Sequence, residues 1–264
     1  GGQKVTSERQ VIRDGILTLT FSKVKVRLHW GFSVAYPATS KAKRSTILPP
    51  PTTLIGALSY GEYRGVDSLD FPSSPAEAFN SESKASSQPE KVICAAARFD
   101  DDSAVTYSED VIRNVTSYFQ KPERRNDERY IFNIVPTGKV YGPNATLRLV
   151  YVTTIPQDKL YRLSWSIVRL GSKEGLVSVE DVEVGEAKET RGNLETKYYF
   201  PETVEHKTGP VVLANFWKGG FVWGEKVESV RYVIPLNPFP ISSTSIEVNA
   251  KRAYEVGGEY VVVE

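Results

Sequence analysis

The stretch SKVKVRLHWGFSVAY, residues 22–36, alternates without a break. Val24, Val26, Leu28, Trp30, Phe32, Val34 and Tyr36 share one parity; Lys23, Lys25, Arg27, His29, Gly31 and Ser33 share the other. A period of two over this length reads as a strand with one buried face and one wet, cationic face. The run PPPTTLIGALSYG, 49–61, follows a short basic loop. Proline suits the lead-in to a helix, Thr52 or Thr53 can offer a capping oxygen, and Leu54, Ile55, Ala57 and Leu58 form an apolar stripe at helical spacing. The expected helix lies on the apolar face of the first strand and ends near Gly61 or Gly65.

Working outward, residues 66–90 are rich in Ser, Pro, Asp and Glu and read as a mobile surface loop. VICAAARF, 92–99, reads as a central strand, and Asp100-Asp101-Asp102 as a solvated turn rather than a metal site. Residues 104–139 mix aromatics with cations and fit neither a clean helix nor a clean strand; a protruding hairpin is one reading. TLRLVYVTTI, 146–155, is a strand. Leu160, Leu163, Ile167 and Leu170 space out a second helix, with Gly171 at its left-handed cap. A strand from Leu176 to about Val184 follows. The order strand, helix, strand, strand, helix, strand is the βαββαβ pattern of a ferredoxin-like or RNA-recognition fold. From about 195, short apolar runs split by Gly, Pro and Asn predict an all-β region. The expected organisation is α+β: an N-terminal arm or appended residues over 1–14, an RRM-like domain over 15–190 with an insertion at about 104–139, and a C-terminal β subdomain over 191–264.

Composition limits the chemistry. The 264 residues carry a formal net charge of only +1, so the whole-molecule field does not steer the chain to nucleic acid. The charge is segregated, however. Between Gly15 and Gly61 stand Lys23, Lys25, Arg27, Lys41, Lys43 and Arg44 and no acidic residue. A cationic strand face beside a cationic loop is what a polyanion track needs; a solvated face, or one that pairs with an acidic protein partner, is the alternative. The Gly171–Gly175 loop, with Ser172 and Lys173, could cradle a phosphate or simply make a cap and a tight turn. One cysteine, Cys94, excludes an internal disulfide and fits a reducing, cytoplasmic setting. No apolar run reaches the roughly 18 residues of a membrane span. There is no Cys/His metal spacing and no phosphate-loop motif, so no metal or cofactor is expected. Of the two histidines, His29 and His206, only His29 sits among cations, where metal-free RNA cleavage is imaginable.

Trp30-Gly31-Phe32-Ser33-Val34, Tyr36-Pro37, Thr39-Ser40-Lys41-Ala42 and, above all, Leu48-Pro49-Pro50-Pro51-Thr52-Thr53-Leu54-Ile55-Gly56-Ala57-Leu58 resemble the CRISPR-associated Cas-five family (RAMP superfamily), in its archaeal type I-A flavour. Gly138-Lys139-Val140-Tyr141 and the run Arg169–Val179 add to the resemblance, which spans about 22–184. It implies a modified RNA-recognition fold with a hairpin "thumb" and a small C-terminal β region. It further implies a non-catalytic subunit of a Cascade surveillance complex that grips the five-prime handle of the guide RNA (crRNA), caps the filament of Cas-seven subunits and touches the large subunit. One subtype cleaves the guide precursor, but its composite of Tyr, Lys and His has no clear counterpart here. The expected RNA contacts are Ser40, Lys41, Lys43 and Arg44, then Ser172 and Lys173, then Arg124, Arg125, Arg129 and Lys139 on the thumb, and last Lys25, Arg27 and His29, which could instead meet a neighbouring protein.

Overall fold

The computed structural model describes residues 18–37, 44–63, 91–115, 132–218 and 228–264, with the backbone alone at 111–115 and 132–135. The expected arm at 1–14 and surface loop at 66–90 lie outside the described residues.

Strand β1 (Thr20–Leu28) forms as its alternation dictates. Val24, Val26 and Leu28 are fully buried, while Lys23, Lys25 and Arg27 stand on the opposite face. It lies inside an antiparallel four-stranded sheet of order β3-β6-β1-β7, with β3 (Val92–Phe99), β6 (Thr146–Thr153) and β7 (Val177–Glu186). Val24 stands opposite Leu149 on one side and Val182 on the other; a one-residue slip would drive lysines into the core. β3, expected in the centre, is an edge strand.

The first strand does not continue to Tyr36. The chain bends at His29–Trp30, and β2 (Gly31–Phe32) joins a different sheet, against β5 (Phe132–Tyr141). Gly31 makes the bend possible: its φ is +150°, and a Cβ there would lie 1.9 Å from the Val140 carbonyl oxygen. The described parts of the ambiguous stretch after β3 pair as the two arms of a hairpin, residues 116–131 lying outside the described residues. β4 (Thr106–Val115) pairs with β5 in a single register, from Thr106 opposite Tyr141 to Val115 opposite Phe132.

Helix α1 (Pro51–Tyr63) starts on the proline run itself. The Pro50 carbonyl accepts the N–H groups of Thr53 and Leu54 at 3.0 and 3.1 Å, so the threonines sit in the first turn rather than capping it. The helix lies over β3 and beside α2 (Gln157–Trp165), and α2 is the helix that covers β1 and β7. The crossover thus carries α1 past the first strand to the sheet edge, not onto β1 as expected. α2 is also shorter than its spacing suggests. Ser166 closes it, donating its N–H and hydroxyl to the Leu163 carbonyl; Ile167 and Leu170 stay buried without being helical. Gly171 does take a left-handed φ of +71°, but in the loop beyond the helix end.

After β7, only Ala187 separates it from β8 (Lys188–Thr196), so the division expected at 190 falls inside a strand. The remaining described elements are all strands: β9 (Phe200–Pro201), β10 (Glu205–His206), β11 (Val211–Trp217), β12 (Ser229–Pro238), β13 (Ile241–Ser243), β14 (Ile246–Val256) and β15 (Glu259–Val262). They form one sheet of β8, β10, β14 and β15 and one of β9, β11, β12 and β13. Their side chains share the main core. Tyr198, Tyr199, Phe216, Ile234 and Tyr254 pack in the same buried cluster as Val24, Leu54 and Leu149. Tyr199 donates its hydroxyl to the Pro49 carbonyl at 2.9 Å, which ties the proline brace to the C-terminal strands.

Candidate nucleic-acid interface

Ser40, Lys41 and Lys43 lie outside the described residues, as do Arg124, Arg125 and Arg129. What is described is the root from which both segments spring. Tyr36 donates its N–H to the Arg44 carbonyl (3.1 Å), Thr46 to Val34 (2.8 Å), and Ala35 bridges Ser45, so the basic loop leaves from a two-stranded stem. That stem is seated on the base of the β4–β5 hairpin. The Ser33 hydroxyl donates to the Gly138 carbonyl (2.8 Å), the Ser45 N–H to the Tyr107 oxygen (3.3 Å), and Arg44 Nε lies 3.2 Å from Glu109 Oε1. Only glycine fits at 138, because a Cβ would meet Ser45 N and Tyr107 Oη at 2.4 Å each.

The glycine loop reaches the same place. Ser172 donates its N–H to the Ser33 carbonyl at 3.2 Å, and Gly171 abuts Ser33 and Val34. Ser33 therefore joins three segments far apart in sequence: the basic-loop stem, the hairpin base and the glycine loop. Arg44, Lys139 and Lys173, the described cations of three expected groups, are brought to this junction together with Ser172.

The loop is not an open phosphate cradle. Leu170 N–H goes to Gly175 O, Gly175 N–H to Ser172 O and Ser172 N–H to Ser33 O. The Glu174 carboxylate takes its own backbone N–H and a hydrogen bond from the Ser172 side chain, which hold it below the usual carboxylate range. The Glu174 carboxylate thus takes up donors that a bound anion would need. Lys173 is exposed and has no ion-pair partner among the described residues.

Lys139 faces the glycine loop. Its Nζ lies 3.3 Å from Asp110 Oδ2 and 5.8 Å from the centre of the Tyr141 ring, and the Trp30 ring lies 5.5 Å from that of Tyr141. Burial works against the Lys139 charge, but hydrogen bonds with Asp110 and Tyr141 outweigh it and raise its pKa. Asp110 is held low by the Tyr141 hydroxyl first and by Lys139 second. By strand parity, Glu109 and Asp110 stand on opposite faces of the hairpin, so Arg44 and Lys139 grip its base from either side.

The last expected group, on β1, is different. Lys25 lies 3.5 Å from Asp100 and 3.8 Å from Glu180; Arg27 pairs with Glu180 through Nε and Nη2; His29 Nε2 lies 2.7 Å from Ser178 Oγ. Lys23 pairs with Glu183 at 2.9 Å. The cationic face of β1 is thus neutralised by carboxylates from β7 and from the turn after β3, and it is not an open polyanion track. Asp100 is the hub, with Arg148 at 3.3 Å and Arg98 at 3.8 Å. Burial would raise its pKa, but Arg148, Arg98 and Lys25 together hold it low. The expected solvated aspartate turn therefore applies to its tip, not to Asp100. Arg98, nearly buried, binds Glu259 through Nε (3.0 Å) and Nη2 (2.8 Å) and fastens β3 to β15.

Two residues at the junction escaped the reading of candidate sites. Trp30 shares the parity of core residues, yet the bend leaves it half-exposed, with its indole N–H donating to the Glu174 carbonyl. Arg169 bridges Leu176 at the base of the glycine loop, is exposed, and has no ion-pair partner among the described residues. The only signal for it was its place in the run before Gly171. Among the described residues, no group of His, Cys, Asp and Glu could hold a metal, and no helix is long and apolar enough to cross a membrane.

No protein-family model matches the chain. It is 49% identical over 251 residues to the "CRISPR system aCascade subunit Cas5 1" of Saccharolobus solfataricus, covering 92% of this chain and 99% of that relative. The chain belongs to the Cas5 family of CRISPR-associated proteins. "CRISPR-associated protein Cas5 3" of the same organism is 48% identical over 251 residues, with the same coverage. A CRISPR protein from Archaeoglobus fulgidus has the same fold as this Cas5 chain: TM-score 0.59 at 22% identity, over 92% of this chain and 98% of that one. The family resemblance read over 22–184 is therefore correct and extends further. A match of 92% takes in most of the C-terminal strands of this Cas5 chain, where no resemblance was read.

Proposed function

We propose that this Cas5 chain is a non-catalytic subunit of an archaeal, type I-A Cascade surveillance complex, acting in the cytoplasm. In this reading it holds the five-prime handle of the guide RNA at the root of its hairpin, caps the filament of Cas-seven subunits and touches the large subunit. The observation that carries the reading is the 49% identity, over nearly the full length of both chains, to a protein described as an aCascade subunit. The junction at Ser33 supports it, because it brings Arg44, Lys139 and Lys173 to the base of the hairpin. The sheet order β3-β6-β1-β7, with a helix after its first and third strands in the chain, supports a ferredoxin-like, RNA-recognition type of domain.

Incubation with repeat-derived RNA in EDTA tests it. The expected result is salt-sensitive binding of handle-bearing RNA with no new band on a denaturing gel. Cutting that depends on His29 would replace the reading with an endoribonuclease, and failure to bind any RNA at low salt would favour a protein-interaction scaffold.

A further inference from the structure

A cleft of about 400 Å³ runs along the outer edge of β3. Four consecutive residues of that strand, Ile93 to Ala96, line it. Neighbours in a strand point to opposite faces, so a cleft touched by both parities faces the strand's edge. Thr52 and Ile55 of α1 form one wall, and Tyr232 and Val261 of the C-terminal strands form the other. Among the described residues, no charged side chain lines it.

The backbone along this edge is unpaired. Asp100 donates its N–H towards β6, to the Thr146 carbonyl, whereas Phe99 donates away from it, to the Ser243 hydroxyl at 2.9 Å. Carried back by the alternation of an antiparallel strand, Ala95 turns its N–H and carbonyl away from β6 and into the cleft. No described residue takes up either group. Ile93 is the extra residue of a bulge: Val92 stands opposite Thr153, and Cys94 opposite Val152. Its side chain is 38% exposed. Proteins blunt an open edge with lysine, proline or charge as well as with bulges; the run Ile93-Cys94-Ala95-Ala96-Ala97 carries none of the first three.

These features select the occupant. Unused backbone donors and acceptors on a strand edge call for another strand. A lining without charge suits neither nucleic acid nor a charged peptide. The cleft is recessed between a helix layer and a sheet layer. It admits one strand but not the β3 edge of a second copy, which is flanked by the same two layers.

We propose that an extended, uncharged, apolar segment of another protein chain adds to the edge of β3 as a fifth strand of the sheet β3-β6-β1-β7, with alternate side chains against α1 and against the C-terminal strands. The inference rests on the reading of this chain as a subunit of a larger complex and adds to it a mode of assembly separate from the cationic junction.

The test compares amide hydrogen exchange of the wild-type chain alone, with guide RNA, and in the complex reconstituted with guide RNA and the other subunits, beside the variant Ala95→Pro. Proline at 95 removes an N–H that the β3–β6 ladder does not use, so the edge tolerates it, but an added strand loses its donor. The Ala95 amide is expected to exchange freely in the isolated chain and to slow roughly tenfold or more in the complex. Ala95→Pro should lose a protein subunit from the complex with RNA affinity and melting temperature unchanged. Protection of Ala95 already in the isolated chain overturns the proposal: if independent of concentration, a segment of this chain fills the cleft, and if rising with concentration, a second copy does. Slowing by guide RNA alone also overturns it, as does a folded Ala95→Pro that keeps every subunit. Exchange unchanged on assembly overturns it and leaves the complex reading standing. Failure of the wild-type chain to join the other subunits overturns both. Should Ala95→Pro not fold, the exchange comparison on the wild-type chain decides alone.

Discussion

Ser33 and Gly138 are joined by a 2.8 Å hydrogen bond, hydroxyl to carbonyl, while the Ser33 carbonyl takes the N–H of Ser172. One small residue thus fixes the hairpin base, the glycine loop and the stem of the basic loop relative to one another. Ser33→Ala removes the bond to Gly138 and should cost about 1 kcal/mol in chemical denaturation. Gly138→Ala should cost more, about 1–3 kcal/mol, because its new methyl has backbone and a phenol in its way. Both should weaken RNA binding at fixed salt without changing the salt slope, since every cation is kept.

Tyr199→Phe tests the tie between the proline brace and the C-terminal strands. Removing the hydroxyl leaves the buried Pro49 carbonyl without its side-chain donor. An unfolding free energy lower by about 1–3 kcal/mol is expected.

Glu259→Ala leaves the Arg98 guanidinium nearly buried and without its bidentate partner. Breaking a fully buried pair from one side costs about 3–5 kcal/mol; Arg98 keeps its longer contacts with Asp100 and Asp101, both at 3.8 Å, so the loss here should fall below that range. Denaturant titration should show one cooperative transition at lower midpoint, because both sides of the contact share a core.

Acid stability follows from Asp100. An aspartate in an unfolded chain titrates near ~3.9, and Asp100 in the folded chain titrates lower. Its contribution is present in full above the unfolded value and is lost as pH falls through the folded one. Asp100→Asn should therefore lower stability at neutral pH and flatten its decline below about pH 4, read by thermal melts across pH.

The sequence was most legible where one face of an element is buried along its whole length. Val24, Val26 and Leu28 announced β1 for that reason. The same rule overran at Trp30: Phe32 keeps the parity of β1 although it belongs to another sheet, so periodicity could not reveal the bend that Gly31 allows. Helix α2 was overextended through Ile167 and Leu170 because burial continues after helical hydrogen bonding stops. The cations of β1 looked available because their partners, Asp100, Glu180, Glu183 and Glu259, lie far along the chain and meet them only through strand pairing. The junction at Ser33 was partly legible. The motifs at 30–42, 138–141 and 169–179 were each visible, but nothing in their spacing showed that they meet.

The most direct measurement is the salt dependence of RNA affinity in charge-neutralised variants. Each phosphate deprived of its cation should reduce the slope of log affinity against log salt by about 0.7 for a single strand. Arg44→Gln, Lys139→Gln and Lys173→Gln together should flatten that slope by about 2, whereas Lys25→Gln with Arg27→Gln should leave it unchanged. A slope untouched by the first set and flattened by the second would place the RNA on the face of β1 and contradict the account.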